Sequence, residues 1–144
     1  NARRKHGALM HEVLSRIRTR KDIPQSVERY HQEGVIDKEE AIALVARLEE
    51  LLNLPEAASW YDGTARVLNE VDILFGKGLS KRPDRVMITG NRVVVVDYKF
   101  GEHADQRYHS QVRNYLKLIR QMGYDGVEGF LWYVELNKIE AVKG

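Results

Sequence analysis

The chain contains no cysteine. Within it, disulfides, thiolate zinc sites and cysteine-ligated iron–sulfur clusters are therefore excluded. Proline is scarce, and neither Gly/Ser-rich nor Pro-rich runs occur, so no long disordered tail is expected. No apolar run approaches transmembrane length and no signal peptide opens the chain, so the expectation is a cytoplasmic protein without membrane contact. An excess of one charge sign is missing too. The 23 basic and 21 acidic residues leave a net charge of +2, which permits a nucleic-acid partner without arguing for one. Gly76-Lys77-Gly78 lacks the remaining glycine and Ser/Thr of a phosphate loop. The chain thus has no ATPase motif, and any motor must lie elsewhere.

What is present reads as one ordinary globular domain over residues 1–144, with 43% hydrophobic and 31% charged residues. Arg3, Arg4, Lys5, Arg16, Arg18, Arg20 and Lys21 crowd the first stretch, while Glu39, Glu40, Glu49 and Glu50 lie further on. Such a basic end is either a solvated surface or a nucleic-acid contact. The chain begins with Asn rather than Met, and a C-terminal fragment of a larger chain is expected.

Periodicity orders the elements. Met10, Val13, Leu14 and Ile17 recur at helical spacing. Asp22 is placed to cap a second helix, with Pro24 in its first turn and Gly34 ending it. Asp37-x-x-Glu40 resembles a capping box ahead of Ala41, Leu44, Val45, Leu48 and Leu52. Pro55 closes this helical segment. The period then changes to two: Val67, Val71, Ile73 and Phe75 suggest a half-buried strand. Two more strands follow, Pro83 to Thr89 and Arg92 to Phe100, joined by Gly90-Asn91. Tyr108, Val112, Tyr115, Leu116, Ile119 and Met122 share one face of a long helix. A strand from Val127 to Val134, with a short partner near Ile139, completes an α/β (α+β) domain.

A two-residue hairpin loop fixes register. With Gly90-Asn91 as the loop, Thr89 faces Arg92, Val86 faces Val95, and Asp84 faces Asp97. Alternation places Lys99 on the same side as Asp97. Directly opposed residues hold their Cβ atoms roughly 4.5–5.5 Å apart, where like charges are destabilising. A hard divalent cation with few protein ligands explains such a pair. Alternatively, both aspartates sit at strand ends in solvent, with Lys99 as an ion-pair partner.

Pro83-Asp84 followed by an apolar strand ending in Asp97-Tyr98-Lys99 resembles the PD-(D/E)XK nuclease superfamily, and most of all the RecB-like nuclease domains of bacterial helicase–nucleases. Gly7-Ala-Leu-Met-His11 is similar to the G-x-x-x-H helix of those domains, and Gln111-Val-Arg-Asn-Tyr115 to their Q-x-x-x-Y helix. Glu70 matches the acidic residue on the strand before the metal aspartate. The resemblance runs from Gly7 to about Val134. It implies a restriction-endonuclease-like core, a central mixed sheet flanked by helices, behind an N-terminal helical segment.

The same resemblance implies Mg²⁺ or Mn²⁺ held by His11, Asp84, Asp97 and the backbone carbonyl of Tyr98. Lys99 would orient water or stabilise charge on the phosphate, and Gln111 and Tyr115 would brace the site and the DNA strand. Glu70 would hold a water or a second ion; Asp72, on the same face, is a secondary candidate. The implied function is a DNA exonuclease acting in repair and recombination beside helicase domains of the same chain or complex, with no small-molecule cofactor and a 5′-phosphate product. The competing reading is an inactive DNA-binding or docking module that keeps the fold. Lys81 and Phe100 depart from the relatives' usual Gly and Thr/Ser, which bears on sub-family. Trp60 and Tyr61 read as core anchors rather than base-stacking residues, His31, His103 and His109 as solvated, and Met10, Met87 and Met122 as packing.

Overall fold

A computed structural model describes residues 2–69, 82–101 and 105–144. The chain divides into two compact units, Asn1–Thr64 and Ala65–Gly144. Glu70, Asp72, the strand positions Val71, Ile73 and Phe75, the Gly76–Gly78 turn, Lys81 and His103 lie outside the described residues. Among the described residues no helix is long and apolar enough to cross a membrane.

The first unit is helical: α1 (Ala2–Ser15), α2 (Ile23–Gln32) and α3 (Lys38–Leu52), with short 3-10 turns at Arg20–Asp22 and Ala58–Tyr61. The spaced apolar set Met10, Val13, Leu14 and Ile17 is buried, as its periodicity requires. The Asp37 side chain accepts from the Glu40 amide (2.8 Å) while the Glu40 carboxylate accepts from the Asp37 amide (3.1 Å), a complete capping box opening α3. Gly34 ends α2 in the left-handed region, at φ 75°. Asp22 is the N-cap residue of α2, as expected, but its side chain makes no cap bond to that helix; its carboxylate instead accepts from the amides of Arg18 and Thr19. Pointing back to the preceding turn, it organises the entry to the helix rather than its first turn. Trp60 and Tyr61 are buried anchors. Arg20 donates to the Leu52 and Ala58 carbonyls (3.3 and 2.7 Å), one of the orphan acceptors at the end of α3 among them.

The second unit holds β1 (Arg66–Asn69), β2 (Arg85–Thr89), β3 (Arg92–Lys99), α4 (Gln106–Gln121), β4 (Gly126–Tyr133) and β5 (Lys138–Val142). The five strands lie in chain order, all neighbours antiparallel except β3 and β4. Parallel neighbours need a long crossover, and α4 supplies it. This is a mixed sheet in an α+β fold. Val86, Val93, Val95, Leu131 and Tyr133 form the core with Val112, Tyr115, Leu116 and Ile119 of α4. Val96, Tyr98 and Trp132 on the opposite face are also buried, which accounts for an uninterrupted valine run in β3 rather than an alternating one. Gly129 lets helix and strand approach closely: a Cβ there would lie 2.7 Å from Val112 Cγ1.

Two expectations are corrected. Met122 is 46% exposed, because α4 ends at Gln121 and Met122 is its C-cap. His109 is mostly covered, with Nε2 3.8 Å from a Glu140 carboxylate oxygen; the crossover brings β5 beside α4, a neighbour invisible to local spacing. Met10 and Met87 do pack in the interior.

Candidate active site

The β2–β3 ladder runs from Thr89↔Arg92 to Arg85↔Val96, the register that a two-residue loop imposes. Gly90 stands at φ 59°, the positive value a type II′ turn takes at its first central position. Regular pairing stops at Arg85. One residue further, the side chains take over from the ladder. The Asp84 amide donates to Asp97 Oδ1 at 2.9 Å, and the Tyr98 amide donates to Asp84 Oδ2 at 2.9 Å. Each aspartate is thus held by a backbone N–H of the opposite strand. Hydrogen bonds to a charged acceptor are the stronger kind, and these two offset the repulsion of like charges brought together.

Asp97 is only 2% exposed. Asp84 is half-buried. The pair therefore does not stand in open solvent. Lys99 lies on the same face, its Nζ 3.9 Å from Asp97 Oδ2. Nζ also donates to Gln111 Oε1 at 3.2 Å and sits over the Tyr108 ring, 4.5 Å from the centroid. An ammonium over an aromatic face is held by the ring quadrupole. Lys99 is consequently fixed from three sides by β3 and α4.

Tyr115, one turn after Gln111, completes the group. Burial pushes its hydroxyl well above the ordinary tyrosine range, and the Asp97 and Asp84 charges push it further, while the nearby Gln111 side chain acts in the opposite direction. Asp84, Asp97, Lys99, Gln111 and Tyr115 thus gather in one unit. The Tyr98 ring points to the other face, edge-on to Trp132 at 6.0 Å. His11 is a half-buried residue of α1 in the helical unit. Tyr108, which its spacing places only on the shared face of the helix, also belongs to the site; its position one turn before Gln111 is the signal in the sequence.

Two carboxylates meet here; among the described residues, no group of three His, Cys, Asp or Glu donors gathers elsewhere or around them. Two hard oxygen donors fit Mg²⁺ or Mn²⁺, since such ions often take one or two protein carboxylates and complete their shell with water and phosphate. A model of the PD-(D/E)XK nuclease superfamily matches residues 1–144. The chain belongs to that superfamily. PD-(D/E)XK proteins are in general nucleases and usually employ divalent metals. In this PD-(D/E)XK chain, residues 83–84 read Pro-Asp and residues 97–99 read Asp-Tyr-Lys. A comparison with curated proteins finds no match.

Proposed function

We propose that this PD-(D/E)XK chain is a metal-dependent deoxyribonuclease, an exonuclease that serves DNA repair and recombination in the cytoplasm as the nuclease module of a helicase–nuclease. The observation that carries the nuclease reading is the reciprocal clamp of Asp84 and Asp97, with Lys99 fixed on their face. The exonuclease and helicase-associated reading is supported by the likeness of Gly7-x-x-x-His11 and Gln111-x-x-x-Tyr115 to RecB-like domains.

In this reading Asp84 and Asp97, together with His11 and the Tyr98 carbonyl, hold Mg²⁺ or Mn²⁺, and Glu70 holds a water or a second ion. When bound, such an ion polarises the phosphodiester and lowers the pKa of water. The chain's own residues do the rest. Asp84 and Asp97 arrive already oriented by backbone N–H groups, so little reorganisation remains at the moment of reaction. Lys99 places a positive charge beside the carboxylates, where it orients water and stabilises negative charge growing on the phosphate. Gln111 and Tyr108 keep that ammonium from wandering, and Tyr115 stays protonated behind them.

Purified protein with Mg²⁺ or Mn²⁺ is expected to degrade DNA without ATP. Asp97→Ala and Lys99→Ala should each remove the activity. Cleavage that survives both substitutions overturns the reading. Calorimetry with Mn²⁺ separates it from an inactive DNA-binding module, which would bind no metal at millimolar concentration.

A further inference from the structure

Helix α4 carries Arg107, Arg113, Lys117 and Arg120 and not one Asp or Glu in its 16 residues, in a chain whose charges nearly balance. Its apolar side packs on the sheet. Arg113, Lys117 and Arg120 are exposed, and their i, i+4, i+7 spacing stacks them in one stripe. Several other surface cations find carboxylates: Arg16 with Glu12, Arg47 with Glu50, Arg92 with Glu128, Arg107 with Asp105. Among the described residues no carboxylate forms an ion pair with the stripe; Arg113 bonds the Ser110 hydroxyl at 3.1 Å. The three cations, with Gln121 and Gly144, line an open groove of about 490 Å³. Among the described residues, no acidic side chain lines it.

We propose that this groove is a second nucleic-acid contact, seating the sugar–phosphate backbone of the strand whose end reaches the aspartate pair. Three like charges on adjacent turns repel one another, and a polyanion relieves that repulsion. The cations extend over ~10 Å of helix axis rather than converging on a point, which suits a chain of phosphates better than a single anion. The side chains that line it offer no aromatic platform and no carboxylate to read a base edge, so the contact is independent of sequence. The stripe begins within one turn of Gln111, which holds Lys99. A strand lying along it therefore leads toward the reactive end of α4. The inference deepens the nuclease reading and rests on it for the direction of the strand.

The test is equilibrium binding of a fluorescent DNA duplex to the full chain in EDTA, across a range of KCl. Arg113→Gln/Lys117→Gln/Arg120→Gln is expected to weaken binding by at least about tenfold at low salt. It should flatten the slope of log K against log [salt] by roughly 2–3, since each phosphate neutralised contributes about 0.9. The control Arg29→Gln/Lys38→Gln/Lys138→Gln should change the slope by less than about one. If the triple variant unfolds at a lower temperature than wild type, the single reversal Lys117→Glu serves instead. Unchanged affinity and slope in the stripe variant overturn the proposal, as does loss of binding to polyglutamate with DNA binding intact, which assigns the groove to an acidic protein. Metal-dependent cleavage by wild type is scored separately. Cleavage with a silent stripe leaves the nuclease reading standing, and stripe-dependent binding without cleavage removes the nuclease reading alone.

Discussion

Asp97 shows how a single residue is made both functional and costly. It is nearly inaccessible, accepts a hydrogen bond from the Asp84 amide, and shares its surroundings with a second carboxylate. Asp97→Asn keeps an oxygen to accept that bond and removes one of the two opposed charges. Metal-free protein carrying this change is expected to melt at a higher temperature than wild type. Mn²⁺ should raise the melting temperature of wild type, by about 2.7 kcal/mol of stability at a hundredfold excess over Kd, and leave the variant unmoved. Differential scanning calorimetry with and without Mn²⁺ reads both effects. An equal Mn²⁺ response in the two proteins would separate the metal from Asp97.

At the scale of elements, the site depends on how α4 is started and how closely it lies on β4. Asp105 is the N-cap of α4 and accepts from the Arg107 amide at 2.8 Å. Its bonds with the Arg107 side chain and amide hold its carboxyl below the usual carboxylate range. A depressed folded value means that the cap's contribution is complete above the usual range. It is lost as the pH falls through the depressed value. Acidification into that window should fray the first turn of α4, and Asp105→Asn should abolish this pH dependence; amide exchange of Arg107 and Tyr108 is the readout. Gly129 tests the other contact. Because an added Cβ would lie 2.7 Å from Val112, Gly129→Ala should destabilise by about 1–3 kcal/mol, visible as a lower urea midpoint. No change would mean that α4 can shift away from β4 at little cost.

For the whole molecule, membership of the PD-(D/E)XK superfamily spans both compact units. In the proposed ligand set His11 joins Asp84 and Asp97 on the likeness of Gly7-x-x-x-His11 to RecB-like domains. Loss of a group that merely supports a ligand typically costs about 10–100-fold in metal affinity. His11→Ala should therefore weaken Mn²⁺ binding by at least about tenfold, with the Asp84–Asp97 clamp intact. Titration calorimetry of the full chain decides this, and an unchanged Kd removes His11 from the ligand set.

Local rules made much of this protein legible. The Gly90-Asn91 loop sets which residues face one another along β2 and β3, because a two-residue turn leaves one register. Apolar spacing marked α1, α3 and α4, and the Asp37–Glu40 box marked where α3 starts, because these depend on neighbours within a turn. The motif order from Gly7 to Tyr115 pointed to the superfamily. Tertiary structure decided what those neighbours could not: that β3 and β4 run parallel, that Asp97 is buried, and that Lys99 is gripped by Gln111 and Tyr108. It also turned Asp22 toward the preceding turn, left Met122 exposed at the end of α4, and brought Glu140 to His109. The hairpin is governed by contacts a few residues apart. The environment of its carboxylates is set by a crossover helix, whose placement is written into no single stretch of chain.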